Sequence, residues 1–374
     1  MWRGVACLSV VLFHSARGPS REIDGFSAAV FAILGKGWIG VPLFFVISGY
    51  CVTASADALR SQPYSAKHFF WRRFRRIYPP YWAVIAIILI CGYLLQSICS
   101  GHFFQILEVP NPRELSAWQW FGNLSLTQTW LWHLTGGAEM KLLPPSWTLC
   151  YEEQFYFLVG LVLILTRRLF FPSLALLTLV VAIQYVFPQP GLYPEGLFLD
   201  GHWLMFASGV LVYYATNYVP ARKQIWFCVP LITGILCAVP ELRQFEHPVN
   251  QSYFAAFSFA LVILALKPWD QKLISMTMLS PLYSCGEMCY SLYLLHWPVV
   301  LAVGHIFDLC GADSSRTILM FKIPLCVTTA LVAGGIFHRL IERRFWNPRI
   351  KGLDSKAKRA VAPYRPEPSP RVEQ

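Results

Sequence analysis

The chain has 374 residues, of which 56% are hydrophobic and 14% charged, with a formal net charge of +11. Soluble domains carry about 25% charged residues, so this composition excludes an ordinary soluble protein and points to an all-α integral membrane protein. The basic residues lie mostly in short segments between apolar runs, the pattern of the positive-inside rule, so no nucleic-acid partner is expected.

Apolar runs of about 20 residues predict a bundle of about ten transmembrane helices. The first starts near residue 2 and the second covers about 37–57, after an apolar stretch near 25–35 that suits the membrane interface. Further spans are expected near 78–99, 146–166, 170–188, 197–216, 224–240, 253–267, 289–308 and 317–340. A cleaved signal peptide would remove or isolate His14 and lacks an A-x-A site, so the first helix is read as uncleaved. Arg72, Arg73, Arg75 and Arg76, the pairs Arg167/Arg168, Arg222/Lys223 and Lys267/Lys272, and Arg343/Arg344 all fall on one side. Both termini are therefore expected in the cytoplasm, with the 100–145 loop outside and its "NLSLTQTW" stretch interfacial or re-entrant. Residues 1–346 read as one transmembrane domain, and 347–374 as a basic, disordered cytoplasmic tail. The cysteines fall mainly inside apolar runs without framework spacing, as small core residues; neither disulfides nor a metal site is expected.

Three polar groupings stand out against this background. In "RGVACLSVVLFHS" Arg3 and His14 are separated by three helical turns, so they share a face about 16 Å apart. An ionisable residue inside a span is a functional candidate by default, although a lone histidine there is as often a satisfied core residue. In "FFWRRFRRIYPPYW" the arginines form a guanidinium group suited to phosphate, or a simple topology signal, and Pro79 and Pro80 are expected to break the helix. In "SWTLCYEEQFYF" the adjacent Glu152 and Glu153 must point to different sides, either as a helix-locking charge pair or as catalytic groups. Asp200 and His202 suit a loop-edge cap, or the lining of an acceptor entrance. His296, before Pro298, is placed to bond carbonyls freed by a proline kink. Glu342 is expected to pair with the inner arginines, and the sequons at Asn123 and Asn250 to be incidental.

"RGVACLSVVLFHS", "GWIGVPLFFVISGY", "RRFRRIYPPYW", "SWTLCYEEQFYF", "CYSLYLLHWPV" and "HRLIERRF" occur in this order over about residues 2 to 346. Together they resemble the membrane-bound acyltransferase 3 family, which O-acylates carbohydrates and related acceptors at bacterial surfaces. The resemblance implies that Arg3 and His14 are the family's R-x10-H pair, Arg73 and Arg76 its RxxR motif, and Glu152, Phe155 and Tyr156 its E-x-x-F-Y motif. The chain departs from the family in beginning abruptly before its first Arg-Gly, which points to a late start. It also has Pro42 where an acidic residue is common, so no acidic role is expected there.

The expectation is an enzyme in the bacterial inner membrane, in contact with lipid, using acyl-coenzyme A (acetyl-coenzyme A first) as donor substrate and a carbohydrate or glycolipid as acceptor. Arg3, Arg73 and Arg76 would hold the donor phosphates. His14 would act as general base, or as a transiently acylated nucleophile, and Glu152 would orient it. A transporter that relays protons through the same His and Glu residues is the alternative.

Overall fold

In the computed structural model the described residues are 1–17, 25–62, 64–95, 103–186, 195–242, 248–312 and 314–345. Among them the regular structure is helical, without a strand. The principal helices are α1 (Trp2–Ser15), α2 (Gly25–Leu34), α3 (Gly40–Arg60), α4 (Ser65–Leu95), α5 (Ala117–Ser125), α6 (Gln128–Thr135) and α7 (Trp147–Leu165). They continue with α8 (Phe170–Val186), α9 (His202–Tyr218), α10 (Cys228–Leu242), α11 (Pro248–Leu266), α12 (Ser280–Glu287), α13 (Cys289–Leu309) and α14 (Ile323–Phe337). The basic tail expected from residue 347 and the side chain of Asn250 lie outside the described residues.

Seven helical segments among the described residues are long and apolar enough to cross a membrane. They are Gly25–Arg60, Ser65–Leu95, Pro144–Leu165, Arg167–Tyr185, Gln251–Ser275, Cys289–Leu309 and Ser315–Phe345. The first unites the expected interfacial stretch with the second span, because a 3₁₀ turn over Gly35–Ile39 carries α2 directly into α3. The three other expected spans are helical but short, with 14 residues in α1, 17 in α9 and 15 in α10. At 1.5 Å per residue α1 covers about 21 Å of a hydrocarbon core about 30 Å thick. Outward faces carry exposed Ile90, Leu94, Leu176, Val332 and Ile336, as a lipid-facing surface requires.

Pro79 and Pro80 do not break α4, which runs through both. Each proline removes one ladder bond, but α4 packs against α3 and α7. The Tyr290 hydroxyl also donates to the Ile77 carbonyl, 2.8 Å away, beside the interrupted turn. The "NLSLTQTW" stretch folds as α5 and α6, joined at Leu126 in the left-handed region (φ 57°). Buried Asn123 accepts from Leu142 N–H at 2.8 Å and donates to the Met140 carbonyl at 2.8 Å, so its amide is structural.

Helix α3 is the hub, packed on α1, α4, α7, α9 and α11. Lipid offers no hydrophobic drive between helices, so close packing must supply the attraction, and small residues permit it. At the α3–α9 crossing the contact is reciprocal. A Cβ on Gly49 would lie 2.0 Å from the Phe206 carbonyl oxygen, and one on Gly209 would lie 2.0 Å from that of Val46. Only glycine fits at either place. Gly209→Ala should therefore cost about 1–3 kcal/mol through overpacking. A lowered melting temperature in detergent is expected, and an unchanged one would contradict this contact.

Candidate active site

Five helices converge on one cavity of about 80 Å³. Helix α1 contributes Arg3, α3 contributes Ser48 and Cys51, α4 contributes Arg73 and Arg76, α7 contributes Glu152 and Tyr156, and α13 contributes Tyr290 and Tyr293. Arg73 and Arg76 reach it together because residues three apart share a helix face. Arg72 and Arg75 do not line it. Arg3 arrives because α1 lies directly on α12: a Cβ on the next residue, Gly4, would meet the Leu282 carbonyl oxygen at 2.0 Å.

The cavity holds three guanidiniums against one carboxylate, a surplus of two positive charges when Glu152 is ionised. Glu152 accepts a 2.5 Å hydrogen bond from the Ser48 hydroxyl. Among the described residues no carboxylate lies within 4.0 Å of Arg3, Arg73 or Arg76 as a salt-bridge partner. Arg73 is 9% exposed, with its guanidinium carbon 5.1 Å from the Tyr156 ring centre and 5.5 Å from that of Phe69. Its Nε has no hydrogen-bond partner. A buried, unpaired guanidinium donor in a cationic cavity is an arrangement that an anion satisfies.

Arg3, Ile47 and Cys51 also wall a wider cleft of about 500 Å³, which Trp2, Tyr50, Lys267 and Tyr283 help to line. Glu342 shares a third, smaller pocket with Arg3 and Arg76, but it forms no salt bridge with either. It accepts from Ser291 Oγ at 2.5 Å and bonds His338 Nδ1 at 2.8 Å, because the π-helical turn His338–Glu342 rotates it toward α13.

The structure gathers Arg3, Arg73, Arg76 and Glu152, and it leaves His14 elsewhere. His14 sits at the far end of α1, with ring centres 5.3 Å from His296 and 4.9 Å from Trp297. Among the described residues Glu152 makes no hydrogen bond to His14; its partner is Ser48. The two glutamates do diverge, since Glu153 lies beside Tyr78, whose hydroxyl donates to it at 3.4 Å. Asp200 is a cap: it accepts from His202 N–H at 3.1 Å, bonds His202 Nδ1 at 2.7 Å and receives the Tyr151 hydroxyl. Among the described residues, no three His, Cys, Asp or Glu side chains gather as a metal site would require.

A family model described as Acyltransferase domain (Acyl_transf_3) matches residues 1–337. The chain belongs to the acyltransferase 3 family. This acyltransferase is similar to the acyltransferase MdmB of Streptomyces mycarofaciens, at 27% identity over 96% of this chain and 93% of MdmB. It is also similar to the peptidoglycan O-acetyltransferase OatA of Listeria monocytogenes, at 23% identity over 86% of this chain and 55% of OatA. The O-acetyltransferase OatA of Staphylococcus aureus is 25% identical over 83% of this chain and 52% of its own length. The acyltransferase thus spans about half the length of either OatA. No solved structure matches it.

Sequence reasoning gave no role to Ser48, Tyr290 or Tyr293, which complete the cavity wall. The signal was present only as polar residues at helical spacing within apolar runs, "ISGY" and "CYSLY", without an indication of which face they occupy. Glu152 offsets one of three positive charges in this acyltransferase, so Glu152→Gln should increase the cavity's affinity for anions. Pyrophosphate should then protect the variant against thermal unfolding at several-fold lower concentration than the wild type. Equal concentrations would contradict the charge balance described here.

Proposed function

We propose that the chain is an integral membrane O-acyltransferase of the bacterial cytoplasmic membrane, with both termini in the cytoplasm. It transfers an acyl group, acetyl first, from cytoplasmic acyl-coenzyme A to a hydroxyl of a surface or lipid-linked carbohydrate. The observation that carries this reading is the cationic cavity, in which buried Arg73 has an unpaired Nε and Arg3 opens onto the wider cleft. The phosphates of coenzyme A are the multiply charged anion that such a group of guanidiniums suits, and the salt-bridge vacancies of Arg3, Arg73 and Arg76 are its binding positions.

His14, about 16 Å along α1 from Arg3, is the general base. Its Nε2 takes the proton of the acceptor hydroxyl as that oxygen attacks the thioester carbonyl carbon. The C–S bond then breaks, and the proton passes from Nε2 to the departing sulfur. Glu152 belongs to the donor site, holding Ser48 and offsetting the arginines. Carbohydrate as acceptor is supported by the O-acetyltransferases among the relatives, one of them named for peptidoglycan.

Sealed membrane vesicles of the source bacterium test the arrangement with its native acceptor in place. Inside-out vesicles given radiolabelled acetyl-coenzyme A should gain alkali-labile label, and intact right-side-out vesicles should not until permeabilised. Equal labelling of both would contradict a cytoplasmic donor site. His14→Ala should reduce the labelling rate by roughly 10²–10⁴-fold, the usual cost of losing a general base. A well-inserted His14→Ala protein with near-normal rate would remove the base from this mechanism. Transport without ester formation would favour the transporter reading.

A further inference from the structure

Among the described residues, His14 Nδ1 on α1 and His296 Nε2 on α13 are both buried without hydrogen-bond partners. Their rings are neighbours, with centres 5.3 Å apart and planes inclined by 39°. His296 is 1% exposed, and its other nitrogen, Nδ1, lies 2.6 Å from the carbonyl oxygen of Tyr293. A carbonyl only accepts, so His296 Nδ1 carries a proton. In the neutral ring its Nε2 is then a bare acceptor, and a donor must face it.

Besides His14, the ring neighbour of His296 is Tyr293, with centres 5.9 Å apart, and the Tyr293 hydroxyl donates to the Pro145 carbonyl. Besides His296, the aromatic neighbours of His14 are Phe13 and Trp297, with ring centres 5.0 and 4.9 Å away. Phe13 has no polar atom, and Trp297 spends its indole N–H on the Leu107 carbonyl at 3.2 Å. Arg17 rests its guanidinium over the Trp297 ring, 5.4 Å from the centre. Pairing His14 Nδ1–H with His296 Nε2, directly or through one bound hydroxyl, satisfies both orphaned atoms at once.

We infer that His296 is a positioning residue that holds His14 in the tautomer protonated at Nδ1, leaving Nε2 as the basic nitrogen. The chain of donors runs from His14 Nδ1–H to His296 Nε2, and from His296 Nδ1–H to the Tyr293 carbonyl. This gives His296 the orienting task that a carboxylate performs for many catalytic histidines. The geometry also suits what His14 must do, since the residue is only half-buried although its Nδ1 is enclosed. Nε2 of His14, unlike Nδ1, is not among the enclosed, unpartnered atoms. Tyr293, whose carbonyl starts the chain, lines the arginine cavity as well, so one turn of α13 connects the two ends of the site.

The inference rests on His14 as the base, and the test separates the two claims. Asparagine at 296 keeps a donor near the position of Nδ1, and with it the bond to Tyr293, but has nothing at the position of Nε2. In vesicles of the source bacterium given radiolabelled acetyl-coenzyme A, His296→Asn should lower the maximal rate of ester labelling by at least about tenfold, within the ~10²–10⁴ range for loss of the base. The donor concentration giving half-maximal rate should not change. The double variant with His14→Ala should be no slower than His14→Ala alone, as expected for residues acting as a unit. A His296→Asn protein with normal maximal rate beside an inactive His14→Ala protein would overturn the positioning role and leave the base standing. An active His14→Ala protein would instead overturn the base itself. A raised donor requirement without a loss of maximal rate would also overturn the inference. His296→Ala removes the anchoring bond too, so the Asn variant is the deciding one.

Discussion

The architecture is organised around guanidinium groups held inside a helix bundle with too few carboxylates to neutralise them. Burying charge in an apolar medium is expensive, and the usual remedy is pairing. Arg73 is almost fully enclosed, yet aromatic faces of Tyr156 and Phe69 stand where a carboxylate would be expected. Cation–π contacts of this kind contribute about 2 kcal/mol or more when desolvated. They steady the cation without consuming its hydrogen-bond donors. Such a site suits the exchangeable anionic donor proposed above. Glu152 moderates the surplus while its bond to Ser48 fixes it in place.

The second constraint is the seat of α1. This helix is too short to cross a membrane core unaided, so its position depends on neighbours: α12, α3, α13 and α14. Backbone-to-backbone approach at Gly4 sets one end, and the rings around His14 set the other. A rigid rod between the charged cavity and His14 fixes the distance between them, as the proposed donor site and general base require. Effective positioning of this sort accounts for much of enzymatic rate enhancement.

Much of this was legible in the residues themselves. Helical periodicity alone sets Arg3 and His14 at opposite ends of one face, and the spacing of Arg73 and Arg76 puts both on one side of α4. Two adjacent glutamates on a helix had to diverge, and they do. What was hidden depends on contacts between segments far apart in the chain. Glu152 meets Ser48 across 104 residues, which no local pattern announces. Glu342 turned to Ser291 because a π-helical turn shifts its face by part of a revolution, and regular 3.6-residue periodicity cannot anticipate that. Pro79 and Pro80 carry a strong local signal for a break, and tertiary packing overrode it. His296 was expected to bond a carbonyl freed by Pro298, and its Nδ1 bonds that of Tyr293, one residue before the Leu294 carbonyl that Pro298 leaves without its usual donor. Its second nitrogen acquires meaning only once α1 is laid beside α13.

The central claim, that the arginine cavity is the binding site of an anionic acyl donor, is most directly tested by equilibrium binding of coenzyme A to the purified protein. Wild type should bind, with affinity falling as salt rises because part of the contact is solvent-accessible. Arg73→Ala should weaken binding by at least tenfold in a protein that remains folded. Salt-independent binding that is indifferent to Arg73 would contradict the account.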